Sequence, residues 1–260
     1  MLRARLFLLG MVGVLLGPSG SALGQAGEDT FRLDRYRATP SPQDGMVVDL
    51  PDTISHLHWV TTLAMDYGKN VLVVGRNTSA EVTLVEHRSV AQLTAALGLF
   101  DLLHVYLRSS VVLWSAGSDA RLLGASLAAP GGLVVGDPGL GVSARLLELE
   151  GLSLGATGEL LVPIGSEDGL AGGAGPEGHV SGTAALQVHH AVKLALQVGA
   201  DLRSERTFGY DHVGSAVGVA LGIWARPPVR SLLFGVELLG GIGLVQRDAP
   251  GAVDNLELLA

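Results

Sequence analysis

The amino-acid sequence predicts an all-β fold, an antiparallel up-and-down transmembrane β-barrel of about 10–12 strands that is incomplete at its C-terminal end. Three observations lead there. Apolar and polar residues alternate with period two over segments of about ten residues, the length a tilted strand needs to cross a bilayer. The links between those segments are short and long in turn. Beyond the leader, no stretch approaches the roughly 18 consecutive apolar residues of a membrane-spanning helix.

Composition sets the outer bounds. Of 260 residues, 48% are hydrophobic and 16% charged, enough for a core and too apolar for a disordered chain. The 37 glycines are about twice the usual share of about 7%, which favours a turn-rich, curved sheet. With no cysteine a disulfide scaffold is excluded. A net charge of −8 gives no footprint for phosphates, so no nucleic-acid partner is expected.

Taken in order, residues 1–24 read as a signal peptide: Arg3 and Arg5, an apolar run over 6–16, then Gly17, Pro18, Ser19 and Gly20 before the small residues Ser21, Ala22 and Gly24. The run falls short of the roughly 20 residues of an anchor. Residues 25–55, with Pro40 and Pro42, are expected to form a periplasmic N-terminal segment and linker, and residues 56–260 the truncated outer-membrane barrel.

Strands are expected at 57–67, 89–99, 102–114, 140–148, 152–162, 180–190, 192–203, 212–224 and 231–239. The clearest is 192–203, where Val192, Leu194, Leu196, Val198, Ala200 and Leu202 oppose Lys193, Gln197, Asp201 and Arg203; a helix would mix the two sets. In 102–114, Leu103, Val105, Leu107, Val111 and Leu113 oppose His104, Tyr106, Arg108 and Ser110. Val71 to Arg76 and Val82 to His87 flank a hairpin tip at Asn77 to Ala80, so the first long link extends two strands beyond the membrane. The glycine-rich, acidic stretch 165–178 is expected to be a flexible loop. Residues 255–260 suggest a tenth strand too short to span. Tyr67, Trp114, Phe208 and Tyr210 at one end, and Trp59, Phe100 and Trp224 at the other, form two interfacial girdles.

With the apolar sides in lipid, the lumen is lined by His58, Asp66, His104, Arg108, Arg145, Glu159, Lys193, Asp201, Arg203 and Glu237. Opposite charges balanced in a narrow space pair with one another, because an unpaired charge there is costly. That argues against a selective pore.

Motifs that could carry chemistry are weak. Gly151-Leu152-Ser153-Leu154-Gly155 fits the G-x-S-x-G elbow pattern but opens a strand where the elbow needs a helix. His56 and His58 share a side without a third ligand nearby, and His189 and His190 are expected to face opposite ways. Asp66, His104 and Ser110 lie on inward faces, so a triad inside the barrel depends on geometry. Gly136-Asp137-Pro138-Gly139-Leu140-Gly141 lacks the Lys and helix of a phosphate loop and reads as a turn. No catalytic, cofactor-binding or metal-binding residue is assigned, and no cofactor is expected.

Phe31-Arg32-Leu33-Asp34-Arg35-Tyr36-Arg37-Ala38-Thr39-Pro40 followed by Gly45-Met46-Val47-Val48 is similar to the N-terminal barrel region of large outer-membrane proteins of the OmpA family. His56-Leu57-His58-Trp59, Asp66-Tyr67, Leu97-Gly98-Leu99 and Gly136-Asp137-Pro138-Gly139-Leu140-Gly141 resemble it too. In that family the barrel precedes calcium-type repeats and a peptidoglycan-binding domain. Neither is present in these 260 residues, so cell-wall anchoring is not carried over.

The expected role is a structural outer-membrane protein of a bacterial envelope, not an enzyme, exported by its signal peptide, contacting outer-membrane lipid and exposing its long loops. A narrow passive channel for small solutes and a soluble secreted or periplasmic β-sandwich binding protein are the alternatives.

Overall fold

The computed structural model describes residues 33, 37–41, 45–74, 82–122, 125–127, 131–166, 169–173, 175–208, 211–225, 234–244 and 257–259. The expected leader, the hairpin tip at 77–80 and Tyr210 lie outside them, as does the side chain of Phe208. The described residues form strands and no helix. In chain order these are β1 (Trp59–Val74), β2 (Val82–Leu99), β3 (Leu103–Ala116), β4 (Ala120–Leu122), β5 (Ala125–Leu127), β6 (Val134–Val135), β7 (Gly139–Leu149), β8 (Leu152–Leu161), β9 (Glu177–His189), β10 (Val192–Leu202), β11 (Arg206–Phe208), β12 (Asp211–Val213), β13 (Ala216–Ala225), β14 (Phe234–Gly243) and β15 (Glu257–Leu259).

Nine of these are long and form one antiparallel sheet in the order β1-β2-β3-β7-β8-β9-β10-β13-β14, with β15 on β14 and β6 on β3. The sheet curls into a half-barrel. Among the described residues β1 and β14 do not pair with each other, so the sheet is an open one. The remaining short strands make two two-stranded sheets, β4 with β5 and β11 with β12.

Each of the nine expected segments is a strand. β1 and β2 continue together into the expected extension, to Val74 and from Val82, with register shifts between Lys69 and Val73. The segment expected from residue 212 begins its long strand only at Ala216, because Asp211–Val213 pair with Arg206–Phe208 in a separate two-stranded sheet. One rim carries short turns at residues 100–102, 150–151 and 190–191; the opposite rim carries links such as 117–138, 162–176 and 203–215. In the first turn Phe100 and Asp101 both have positive φ, 58° and 53°, the twist that lets two strands meet across so short a connection.

The sheet is apolar on its convex face. Leu194, Leu196 and Val198 stay 37%, 43% and 47% exposed, while Ala195 and Gln197 between them are buried. The same alternation continues onto β13, where Val219, Leu221 and Ile223 face outward. A sandwich would have buried these residues against a second layer. On β3 one extra residue shifts the pattern: Ser89 pairs Trp114 but Val90 pairs Val112. That bulge turns Trp114 outward and Ser115 inward.

Two aromatic groups lie on the outer face over β1, β2 and β3. Tyr67, His87 and Trp114 stack across β1, β2 and β3 near the long-link rim, with centroids 5.9 and 5.7 Å apart. Trp59 and Phe100 are exposed near the short-turn rim. Trp59 and Tyr67 are about 26 Å apart along β1. Trp224, expected in that lower girdle, is instead 4% exposed on the concave side. It shares its side of β13 with Ala220 and Gly222, and an added Cβ at Gly222 or Gly235 would strike its indole.

Candidate functional site

The concave face is polar, and the chain's own N-terminal segment fills it. Buried residues there include Gln92 and Thr94 on β2, His104 and Arg108 on β3, Thr157 and Glu159 on β8, Thr183 on β9 and Gln197 on β10. Residues 37–41 and 45–55, expected to form a linker, pass across them.

The segment enters at the long-link rim. Leu33 donates its N–H to the Leu170 carbonyl at 3.1 Å. Arg37 then lies between two strands, with Nε 3.2 Å from Glu159 on β8 and Nη2 3.2 Å from Asp201 on β10. Arg108 adds a second cation 3.4 Å from Glu159, and His179 Nδ1 lies 2.8 Å from Asp201. Burial alone would lower the Arg37 pKa; Glu159 and Asp201 more than offset it, and the net shift is upward.

Wall side chains then grip the main chain. Ala38 N–H donates to Gln92 on β2 at 3.1 Å. Thr39 Oγ1 donates to the Gly45 carbonyl at 2.6 Å, and the residues after Gly45 meet β14. There the Glu237 carboxylate accepts from Met46 N–H at 2.6 Å and from Val47 and Val48 N–H at 2.8 and 2.9 Å. Asp49 N–H donates to Gln197 on β10 at 2.8 Å, and Lys193 reaches Asp52 at 2.5 Å. Irregular chain has no ladder to satisfy its N–H groups, so buried backbone depends on such acceptors. Burial pushes the Asp49 carboxyl up, against the attraction of Arg108, His179 and Arg37.

Apolar contacts complete the fit. Val48 and Leu50 pack with Ala185, Ala195, Ala220 and Trp224, and Ile54 with Ala96 and Tyr106. Gly98 and Gly155 permit this approach: a Cβ on Gly98 would meet the Ile54 and Ser55 carbonyls, and one on Gly155 would sit 3.1 Å from Pro51. At the short-turn rim, Asp101 accepts from His56 N–H at 2.7 Å and Phe100 N–H donates to His56 Nδ1 at 3.0 Å. One short segment touching β2, β8, β10 and β14 shows how tightly the sheet curls.

A cap covers the long-link rim. Stretch 165–178, expected to be flexible, is buried over residues 169–173. Arg88 donates to the Gly169 and Leu170 carbonyls at 2.9 and 3.0 Å. Asp137 accepts from Gly165 and Gly173 N–H at 2.7 and 2.6 Å. The glycines admit this close backbone approach, so the composition that suggested mobility serves a tight fit.

The sequence-predicted lumen residues divide accordingly. His104, Arg108 and Glu159 are buried on the concave side; Lys193, Asp201 and Glu237 hold the segment. Asp66 is half-buried on β1. Arg145 at the short-turn rim donates to the Asp101 carbonyl at 2.8 Å, and Arg203 at the other rim to Gly214 at 2.6 Å. His58 is exposed, because the chain turns at Leu57 (φ 59°) and the strand starts only at Trp59. The residues missed are Arg37, Asp49, Asp52, Gln92, Arg88 and Asp137. For Gln92 a signal existed, since it shares the inward side of β2 with Thr94.

The arrangement separates the catalytic candidates. His104 and Ser110 are six residues apart on one strand, about 20 Å, so they form no triad with Asp66. Ser153 lies on β8 after a turn at Gly151, in a strand and not in an elbow. The His189 and His190 rings come together, with centroids 3.8 Å apart, because His190 sits in the turn, where strand alternation no longer applies. Among the described residues no three His, Asp or Glu side chains converge on a metal-sized site. Comparison with known proteins finds no family model that matches this chain, no similar curated protein and no similar solved structure.

Proposed function

We propose that this chain is a structural β-barrel-type protein of the bacterial outer membrane, with its convex face in lipid, its long links exposed and its interior closed by its own N-terminal segment. Its direct partner is outer-membrane lipid, and it carries no catalytic role. The observation supporting this is the inverted polarity of the sheet: leucines, valines and isoleucines outside, Arg108, Glu159 and Gln197 inside. In water an exposed apolar surface this continuous is a liability, whereas hydrocarbon demands it. The aromatic groups near both rims, the short-turn and long-link rims, and the resemblance to OmpA-family barrel regions point the same way.

Flotation of the purified chain with phosphatidylcholine vesicles, together with heat-modifiable mobility on gels, tests the proposal. Co-flotation and a mobility shift on boiling are expected. A chain that stays in the aqueous phase without detergent refutes it.

A further inference from the structure

We propose that residues 37–41 and 45–56 form a displaceable plug, and that the emptied concavity conducts small hydrophilic solutes, salt ions first. This rests on the membrane placement proposed above and on closure of the open sheet around the concavity.

The nature of the wall leads to it. A segment buried for good is best held by an apolar wall, since polar groups taken out of water gain little net stability from pairing. Beside the apolar contacts at Ala96, Ala185, Ala195, Ala220 and Trp224, this wall meets the segment with six polar side chains, Gln92, Glu159, Lys193, Gln197, Asp201 and Glu237. All six can be solvated by water once the segment leaves.

The segment is also separable from the sheet. The bonds that tie Arg37, Ala38, Met46, Val47, Val48, Asp49 and Asp52 to the wall run through wall side chains. The strand ladders from β1 to β14 run without it. Its departure therefore breaks no strand pairing. It would also leave space, because side chains alone fill an eight-stranded barrel, whereas here wall positions such as Gly98 and Gly155 are glycine and the segment occupies the room they leave. Arg108 and Lys193 facing Glu159, Asp201 and Glu237 would give the emptied lumen both signs of charge, and so weak selectivity between cations and anions.

The chain has no cysteine, so one engineered pair can lock the plug. A Cβ on Gly155 would lie 3.1 Å from the Pro51 Cβ, within a few tenths of an ångström of disulfide range. The experiment records KCl conductance across planar phosphatidylcholine bilayers for the full chain, for Arg37→Ala/Glu237→Ala, and for each with Pro51→Cys/Gly155→Cys, while flotation and heat-modifiable mobility report insertion. The expected result is rare openings for the parent chain, open time raised at least tenfold by Arg37→Ala/Glu237→Ala, silence when the cysteine pair is oxidised, and recovery on adding reductant. If the double alanine variant does not fold, the cysteine pair in the otherwise native chain decides alone. Inserted protein that is silent in both redox states, or equally conductive in both, overturns the plug while leaving the membrane placement standing. Protein that does not float overturns both.

Discussion

Leu196→Arg tests which medium the convex face meets. Leu196 lies midway along β10, 43% exposed, and its ladder neighbours are Ala184 on β9 and Leu221 on β13. Neither offers a carboxylate. An arginine on the lipid side of a barrel strand costs about 2–4 kcal/mol at mid-bilayer and about 0–1 kcal/mol near the interface. The folding equilibrium should therefore fall about 30- to 700-fold for Leu196→Arg. For Leu202→Arg, about 20 Å further along the strand, it should fall by no more than about fivefold. If water covered this face, each arginine would stay within about 0.5 kcal/mol of the parent, as surface substitutions do. Urea titration of folding into vesicles, followed by gel mobility, measures the difference. A flat profile across Leu194, Leu196, Val198 and Leu202 would refute the inverted-polarity argument.

Glu237→Ala removes the acceptor for three backbone N–H groups and should lower stability by about 1–3 kcal/mol, with Glu237→Gln falling between; an unchanged urea midpoint would show that the grip contributes nothing. In single-tryptophan variants, lipid-borne quenchers should dim Trp59 and Trp114 but spare Trp224, and strong quenching of Trp224 would invert the faces assigned to β13. Gly222→Val should cost about 1–3 kcal/mol by overpacking the Trp224 indole, read as a lower unfolding midpoint with altered tryptophan emission. Because burial raises the Asp49 carboxyl above its ordinary 3.8, its contribution to stability is fully present below that value and is lost as pH rises through the raised one. Asp49→Asn should therefore gain on the parent as pH climbs from 4 to 8, and a gain on acidification would contradict the assignment.

Much of the wall was legible because strand alternation is local. Lys193, Gln197 and Asp201 fall on one side of β10 within nine residues, so their common face follows from chain geometry alone. The alternating rims were equally plain from link lengths. The plug was not legible, because residues 37–55 carry no period and their contacts are remote in sequence: Arg37 meets Asp201, and Met46 meets Glu237. The cap misled for a different reason. Glycine permits both mobility and close packing, and only Asp137 and Arg88, distant along the chain, decide between them. Trp224 could have been placed correctly, since it follows Ala220 and Gly222 on the small-residue side of β13; assigning it by its nearness to a strand end ignored that phase.

The nine-membered ladder has a consequence for any route to a finished cylinder. Each neighbour reverses direction, so β1 and β14, the first and last of the nine, both ascend from the short-turn rim. Zipped directly together they would be parallel, unlike every other pair in the sheet. An odd number of additional descending and ascending members must lie across the seam for the weave to stay uniform, and β15, which descends along β14 at Leu239 to Gly241, has the orientation of the first.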